Sequence, residues 1–359
     1  MKEFSCRTKL VVGEAAPVLK TLGSRRLLLV TDPYFAEKGI AAALLQNCGA
    51  EHTMLFSEVT PDPSVELAAR GTALVKDFQP DTLVALGGGS AMDCAKAMAY
   101  FAGADLHLVA IPTTSGSGSE VTDFAILTHG STKHPLVDQR LCPRTAILDE
   151  SLLTALPRSL IADGGFDVLS HALEGFVATN ADYFTDALAK EAFCTALANL
   201  PASFGGRTQV RLRMHCASTM AGLAFTQAGL GLCHAISHSL GGMFHLPHGR
   251  LNAILLPAVV ECNAHTAGAK YAQLARAAGL TGTADTVAVR NLKNALVRLR
   301  RELGLPDTLA HAGVDPRQVQ RRQREIVEAA LEDPCLATNP RKIDSFMVHR
   351  ILEEVTGRV

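Results

Sequence analysis

The sequence has almost no net charge, no apolar run long enough to span a bilayer, no internal repeat, no low-complexity tract and no CxxC pair among its nine cysteines. Each absence removes a class of function. With 34 Lys and Arg against 35 Asp and Glu, the net charge is -1, and no bulk field favours nucleic acid or an anionic membrane. The basic stretch "RNLKNALVRLRREL" (290–303) reads as the solvated face of an amphipathic helix, because Leu292, Ala295, Leu296, Leu299 and Leu303 recur at helical spacing. A membrane span needs about 20 apolar residues in a row, and none is present. An odd number of scattered cysteines with no visible signal peptide predicts free thiols in a reducing cytosol. No obvious amphipathic extension is visible beyond "MKEFS", which argues against a dedicated encapsulation tag and leaves entry alongside another protein open. What remains is ordinary globular composition, 48% hydrophobic and 19% charged over 359 residues, enough for two domains or one large one.

The first half alternates strands and helices. "RRLLLVTD" (25–32) is a buried-strand run, followed by a helix through "AEKGIAAALLQNCG". "HTMLFSEV", "DTLVALGGG" and "LHLVAIPTT" are further strands, and "SVELAARGTALVKDF" and "SAMDCAKAMAYFA" are helices of good periodicity. Such alternation predicts βαβ units in a doubly wound parallel sheet, with ligands at the carboxyl ends of its strands. From about residue 153 strand-like patterns give way to helical stretches, with breaks expected at Pro201, Gly205–Gly206, Pro247–Gly249, Gly279 and Pro306. The expected division is an α/β nucleotide-binding domain over 1–152 and an all-α domain over 153–359, with a cleft between them as the default site.

Three strand ends in the first half carry chemistry. Gly87, Gly88, Gly89 and Ser90 form a strand-to-helix turn whose amides could approach a pyrophosphate, although a plain tight turn reads as well. "PTTSGSGSE" (112–120) supplies small hydroxyl and glycine residues, with Thr113, Thr114 and Ser117 as candidates and Thr122 just beyond, although an ordinary Ser/Gly loop has the same composition. Asp32 follows an early strand. It suits the two hydroxyls of an adenosine ribose, where it would repel a 2′-phosphate, and it equally suits a helix N-cap. Together the three favour a dinucleotide site.

The second half contains "ADGGFDVLSHALEGF", in which Asp167 and His171 are four apart and share a helix face, with the preceding glycines suiting the start of that helix. Farther on, "GLCHAISHSLGGMFHLPHGR" places His234, His238, His245 and His248 within fifteen positions of otherwise small and apolar residues. A single histidine on an apolar face is usually a satisfied core residue. Four histidines together with an upstream Asp/His pair suit a divalent ion such as iron(II) or zinc, without saying which of the four bind it.

Six ordered stretches, "VTPDPS", "ALGGGSAMDCAKA", "IPTTSGSGSEVT", "GGFDVLSHALEGF", "AGLGLCHAISHSLGGMFHLPHG" and "DPCLATNPR", resemble the iron-dependent (group III) alcohol dehydrogenase family from end to end. "FSEVTPDP", "GGGSAMD" and "GGMFHLPHG" carry a nearer likeness to the 1-propanol dehydrogenases of propanediol-utilising microcompartments. The resemblance implies the dehydroquinate synthase-like fold, NAD(H), and iron(II), with zinc as runner-up, held by Asp167, His171, His234 and His248. It implies that His238 lies near the nicotinamide as a proton relay and that His245 is incidental. It implies that Phe124, Phe225, Leu230 and Cys335 line a small substrate pocket, although plain apolar packing explains these four equally. The sequence departs from the family in "GGFD", in Ser239 and in Arg250, and Arg250 makes the substrate an open question.

The implied reaction is hydride transfer between NAD(H) and a short primary alcohol or aldehyde, propionaldehyde to 1-propanol first. An arginine reaching the substrate would instead suit a small anionic aldehyde, such as sulfoacetaldehyde or succinic semialdehyde. A lyase of the dehydroquinate synthase type would need a cationic, polar pocket, which the apolar candidates oppose. The resemblance further implies a cytoplasmic homodimer and cargo of a bacterial microcompartment.

Overall fold

The computed structural model describes residues 4–130 and 132–357. The chain folds as two compact units, Ser5–Leu156 and the chain from Pro157 onward, which Phe4 joins. Among the described residues, no helix is long and apolar enough to cross a membrane.

In the first unit six parallel strands pair in the order β1-β8-β5-β4-β2-β3. They are β1 Lys9–Val12, β2 Arg26–Thr31, β3 His52–Phe56, β4 Thr82–Gly87, β5 His107–Pro112 and β8 Thr145–Leu148. A separate antiparallel hairpin joins β6 Phe124–His129 to β7 Thr132–Val137. The helices are α1 Ala15–Thr21, α2 Pro33–Glu37, α3 Ile40–Asn47, α4 Val65–Phe78 and α5 Gly89–Ala102. Side chains alternate across a strand, so a sheet covered on both faces needs apolar residues at every position. Leu28, Val30, Leu83, Ala85, Leu108 and Ala110 pack with α4 and α5 in one core. Leu27, Leu29, Val84, Leu86, Val109 and Ile111 pack with α1 and α3 in the other. Each buried Leu or Val contributes about 1.5–3 kcal/mol before ordering costs.

The expected helix through "AEKGIAAALLQNCG" is two helices, because Gly39 takes a left-handed conformation (φ 73°) that ends the first and begins the second. Strands β1 and β8 and the β6–β7 hairpin had no expectation.

The second unit contains α6 Arg158–Val177, α7 Tyr183–Phe204, α8 Arg211–Ala228, α9 Leu232–Phe244, α10 His248–Ala277, α11 Asp285–Glu302, α12 Pro316–Glu332 and α13 Ser345–Thr356. Helix α6 is buried almost all round and packs against α7, α8 and α10. The Gly164–Gly165 pair is internal to it and does not mark its start. A Cβ at Gly165 would press into Leu200 of α7, 2.9 Å from its Cγ, so glycine here sets a close helix–helix approach.

Two prolines expected or able to break helices sit inside them. Pro201 lies in the last turn of α7, against the expected break. Pro257 lies within α10, where its missing amide leaves the carbonyl four residues back without its helical donor. Arg300 of α11 reaches that carbonyl, Ala253 O at 3.3 Å, and Ile254 O at 3.4 Å. Arg300 is therefore buried and does not share the solvated face predicted for its neighbours, whereas Leu292, Ala295, Leu296, Leu299 and Leu303 are buried as their spacing predicts.

Candidate active site

Helix α6 presents Asp163, Asp167, His171 and Glu174 at steps of four, four and three, which place them along one face. His234 and His238 are four apart on α9, and His248 opens α10 after the turn ended by Pro247. The folded unit brings one donor atom each from Asp167, His171, His234 and His248 within 4.8 Å of one another. Asp167 Oδ1 lies 3.6 Å from His248 Nε2 and 4.0 Å from His171 Nε2. The His171 ring stacks between Phe225 (4.3 Å) and His234 (4.6 Å), both at 20°, which fixes two of the imidazoles in parallel.

A fully buried polar atom decides whether this cage suits a cation. His234 gives Nδ1 to Glu174 Oε2 at 2.6 Å, and its Nε2 is buried with no partner in the protein. Burial, then the neighbouring His171 and His238 charges, hold His234 well below the ordinary histidine range, so the ring is neutral with a lone pair at Nε2. An unpaired buried nitrogen is costly unless something accepts that lone pair, and a divalent ion does so. Three imidazoles and a carboxylate are a donor set for iron(II) or zinc.

The groups behind these donors were not legible in the sequence. Glu174 accepts from the Gly231 and Cys233 amides (3.0 and 2.6 Å) as well as from His234, so one carboxylate both caps the start of α9 and fixes its histidine. Burial pushes Glu174 up to about 7, opposed by those amides. Asn339 accepts the Leu232 amide at 3.1 Å, completing a cap that Gly231 has no side chain to supply. Asn252 donates to Asp167 Oδ1 at 2.9 Å. The spacing from Asp167 and His171 to Glu174 on one helix was the signal available for the first of these; the others depend on tertiary contacts.

His238 is half-buried and stacks on His248, with centroids 5.2 Å apart at 16°. Its Nδ1 bonds Asp333 Oδ2 at 2.8 Å, while Asp333 Oδ1 caps the turn that carries Cys335. Burial works to raise the Asp333 carboxyl, and the bonds from His238 and Cys335 outweigh it and hold it low. An ionised Asp333 fixes the His238 tautomer with the proton on Nδ1. His245 is exposed and ends α9 in a left-handed conformation (φ 55°).

The pocket candidates fall on both units. Phe225 touches His171, and Cys335 offers a donor atom within 4.8 Å of those of His238 and Asp333. Leu230 gives its carbonyl to Thr338, and Phe124 begins β6 in the other unit. Arg250 forks onto Asp163, Nε to Oδ1 at 3.2 Å and Nη2 to Oδ2 at 2.9 Å, so its guanidinium is already engaged.

In the first unit β2 lies between β3 and β4, so the chain order reverses there, the place where doubly wound sheets take ligands at the carboxyl ends of their strands. Asp32 follows β2, Gly87 ends β4 with Gly88 and Gly89 leading into α5, and Thr113 follows β5. Asp32 Oδ1 caps α2 through the Tyr34 and Phe35 amides (3.0 and 3.4 Å), as its N-cap reading predicts. Its Oδ2 faces Gly87: a Cβ there would stand 3.6 Å from it and 2.6 Å from the Ala91 Cβ, so only glycine fits. Gly88 begins α5 without a side-chain cap, which leaves the amides that follow, at Gly89 and Ser90, facing an end suited to an anion. Thr114 and Ser117 stand against this turn, 3.2 and 3.3 Å from the Cβ positions of Gly88 and Gly89. Thr122 is fully buried and its hydroxyl bonds Lys96, so it is committed to the interior.

Residues 8–150 match the family described as iron-containing alcohol dehydrogenase, and 161–356 match the C-terminal domain of the Fe-containing alcohol dehydrogenase family. The chain belongs to the iron-containing alcohol dehydrogenases. It is 41% identical to the 1-propanol dehydrogenase PduQ of Citrobacter freundii over 99% of this chain and 100% of that protein. A solved 1,3-propanediol oxidoreductase matches with a TM-score of 0.92 at 31% identity, covering 99% of this chain and 100% of that one. A sulfoacetaldehyde reductase from Bifidobacterium kashiwanohense, solved with NAD+, matches with a TM-score of 0.89 at 25% identity, covering 99% and 98%. This iron-containing alcohol dehydrogenase therefore has the parallel α/β unit and helical unit of its family.

Proposed function

We propose that this dehydrogenase interconverts short unbranched aldehydes and primary alcohols with NAD(H), propionaldehyde and 1-propanol foremost, using iron(II) held by Asp167, His171, His234 and His248. The observation that carries the reading is the buried, unpartnered Nε2 of His234 within a four-donor cage. When bound, the ion supplies Lewis acidity toward the oxygen of the alcohol or aldehyde, and the nicotinamide carries the hydride. The chain's own groups do the rest. Glu174 holds His234 by Nδ1, so that Nε2 faces the cage. Asp333 holds the Nδ1 proton of His238 in the same way, leaving His238 Nε2 to pass a proton to or from the substrate side. The Gly87–Ser90 turn receives the pyrophosphate, and Asp32 Oδ2 accepts the ribose diol. The nearer likeness to a 1-propanol dehydrogenase supports the substrate. The same reading makes the enzyme a cytoplasmic homodimer that serves as microcompartment cargo where such shells are made.

The pairing of Arg250 with Asp163 supports an uncharged aldehyde, because an anionic substrate would have to compete with a carboxylate already in place. The test is a panel of propionaldehyde, succinic semialdehyde and sulfoacetaldehyde, each with NADH and NADPH. Propionaldehyde with NADH is expected to give the highest kcat/KM, with neighbouring chain lengths only weakly distinguished because a methylene contributes about 1 kcal/mol. In Asp32→Gly the NADH preference falls by roughly 1–3 kcal/mol, the loss of a charged hydrogen bond and of a repulsion. Equal wild-type rates with the two coenzymes would contradict the role of Asp32. An anionic aldehyde whose advantage disappears in Arg250→Ala would replace propionaldehyde as the substrate.

A further inference from the structure

Two oppositely charged side chains are buried in the first unit, and neither belongs to the chemistry above. Asp93 and Lys96 lie three apart on α5, one and two turns beyond the Gly88–Gly89 turn, and are only 8% and 1% exposed. They are not bonded to each other. Lys96 Nζ donates to Thr122 O (2.9 Å), Thr122 Oγ1 (2.9 Å) and Phe124 O (2.8 Å), which uses all three ammonium protons on neutral oxygens of one segment. Asp93 accepts from Ser119 Oγ through Oδ1 and from the Ile126 amide through Oδ2, both at 3.1 Å, on the same segment. Burial pushes Lys96 below and Asp93 above its usual range, and each shift is opposed by the charge of the other.

This segment continues the Thr113–Ser119 loop, which stands directly against the glycine turn. The near end of the loop is tied to β4 by the Thr113 amide on Gly87 O at 2.9 Å. Its far end, from Ser119 to Ile126, is tied to α5 by Asp93 and Lys96. Gly88 and Gly89 leave no slack opposite Thr114 and Ser117, so a small displacement of the loop would open or close the space above the α5 N-terminus. A buried charge is expensive to keep, and a methionine of similar length would fill the same volume without that cost. The ammonium gives something an apolar side chain does not: three fixed bonds to consecutive parts of one loop.

We infer that Asp93 and Lys96 are positioning residues that set the opposing wall of the dinucleotide cradle, and that their contribution is to coenzyme affinity. The inference rests on reading the Gly87–Ser90 turn as the pyrophosphate site. The experiment measures NADH affinity by fluorescence titration of the metal-loaded enzyme, together with KM and kcat, in wild type, Lys96→Met, Thr122→Val and Ser119→Ala. Thr122→Val removes one Lys96 acceptor and Ser119→Ala one Asp93 donor while each keeps the backbone bonds.

Lys96→Met is expected to raise the NADH Kd and KM about tenfold or more, since bonds to a buried charge are each worth about that factor, while kcat at saturating NADH changes far less. Thr122→Val and Ser119→Ala are expected to raise the NADH Kd severalfold. A folded Lys96→Met with wild-type NADH affinity, or a kcat loss with unchanged Kd, would overturn the inference. If Lys96→Met fails to fold, unchanged NADH affinity in both milder variants would overturn it equally. Wild-type enzyme that binds no NADH would instead remove the nucleotide reading itself, a result distinguishable from the others because it precedes any substitution.

Discussion

His234→Ala is expected to lose metal and turnover together, whereas His238→Ala keeps the metal and loses rate. The two histidines sit on the same helix, one turn apart, with rings 6.0 Å from centroid to centroid, so their sequence context hardly separates them. Their partners do. His234 is fully buried, its Nδ1 taken by Glu174 and its Nε2 left over inside the cage. His238 is half-buried, lies outside the four-donor set, and is held by Asp333. Removing a partner behind a ligand typically costs about 10–100-fold in metal affinity, so Glu174→Gln falls in that range and His234→Ala beyond it. Removing a group that only passes a proton costs about 10²–10⁴-fold in rate with the metal retained. Elemental analysis alongside steady-state rates separates these outcomes. A His238→Ala protein that loses metal, or a His234→Ala protein that keeps it, would reverse the assignment.

Gly249→Ala is expected to be strongly destabilising. Gly249 follows the cage residue His248 in the first turn of α10, and a Cβ there would run into the Asp163 carbonyl of α6, 2.6 Å from its carbon and closer still to its oxygen. Overpacking a core usually costs about 1–3 kcal/mol because side chains can yield, but here the obstacle is backbone, so a loss of about 3 kcal/mol or more is expected. The two helices supply Asp167 and His171 on one side and His248 on the other. Backing α10 away from α6 therefore also separates the cage and pulls Arg250 from Asp163. The denaturation midpoint of the metal-free protein and the metal content of the loaded protein should both fall. A variant with a wild-type midpoint and a full complement of metal would show that the approach of α6 and α10 is not fixed at Gly249.

Much of this was legible in the sequence where a local rule and the tertiary structure agree. Helix α4 has a serine cap and a periodic apolar face, and it runs from Val65 to Phe78 with Ser64 bonded to the Leu67 amide. The central strands β2, β4 and β5 are buried on both faces and read as continuous apolar runs. Strand β1 is four residues, largely exposed, so it has neither an apolar run nor an alternation to give it away. Pro201 reads as a break but lies in the last turn of α7, and the group that compensates Pro257 inside α10 is remote in sequence, since Arg300 lies 43 positions beyond it, as 300 − 257.

The site divides in the same way. Asp167 and His171 announce themselves by spacing, and the histidines by their density. Glu174 shares the helix face of Asp167 and His171, whereas Asn252, Asn339 and Asp333 come from other stretches, and the roles of all four exist only once α6, α9, α10 and the Asp333–Asn339 segment meet. Thr122 shows the opposite failure. Its place in a hydroxyl-rich loop suggests a ligand contact, but its hydroxyl is consumed by a lysine whose burial the sequence does not announce.

The most direct test of the account is metal replacement. The enzyme is stripped with a chelator under anaerobic conditions, its loss of NADH-dependent propionaldehyde reduction is recorded, and iron(II) is titrated back while metal per chain is counted. The account predicts inactive stripped protein, and activity that rises with iron and levels off at one ion per chain in wild type but not in His234→Ala. Full turnover by the stripped protein would contradict the metal cage as the centre of the chemistry, and full turnover by a zinc-only preparation would contradict iron as its occupant.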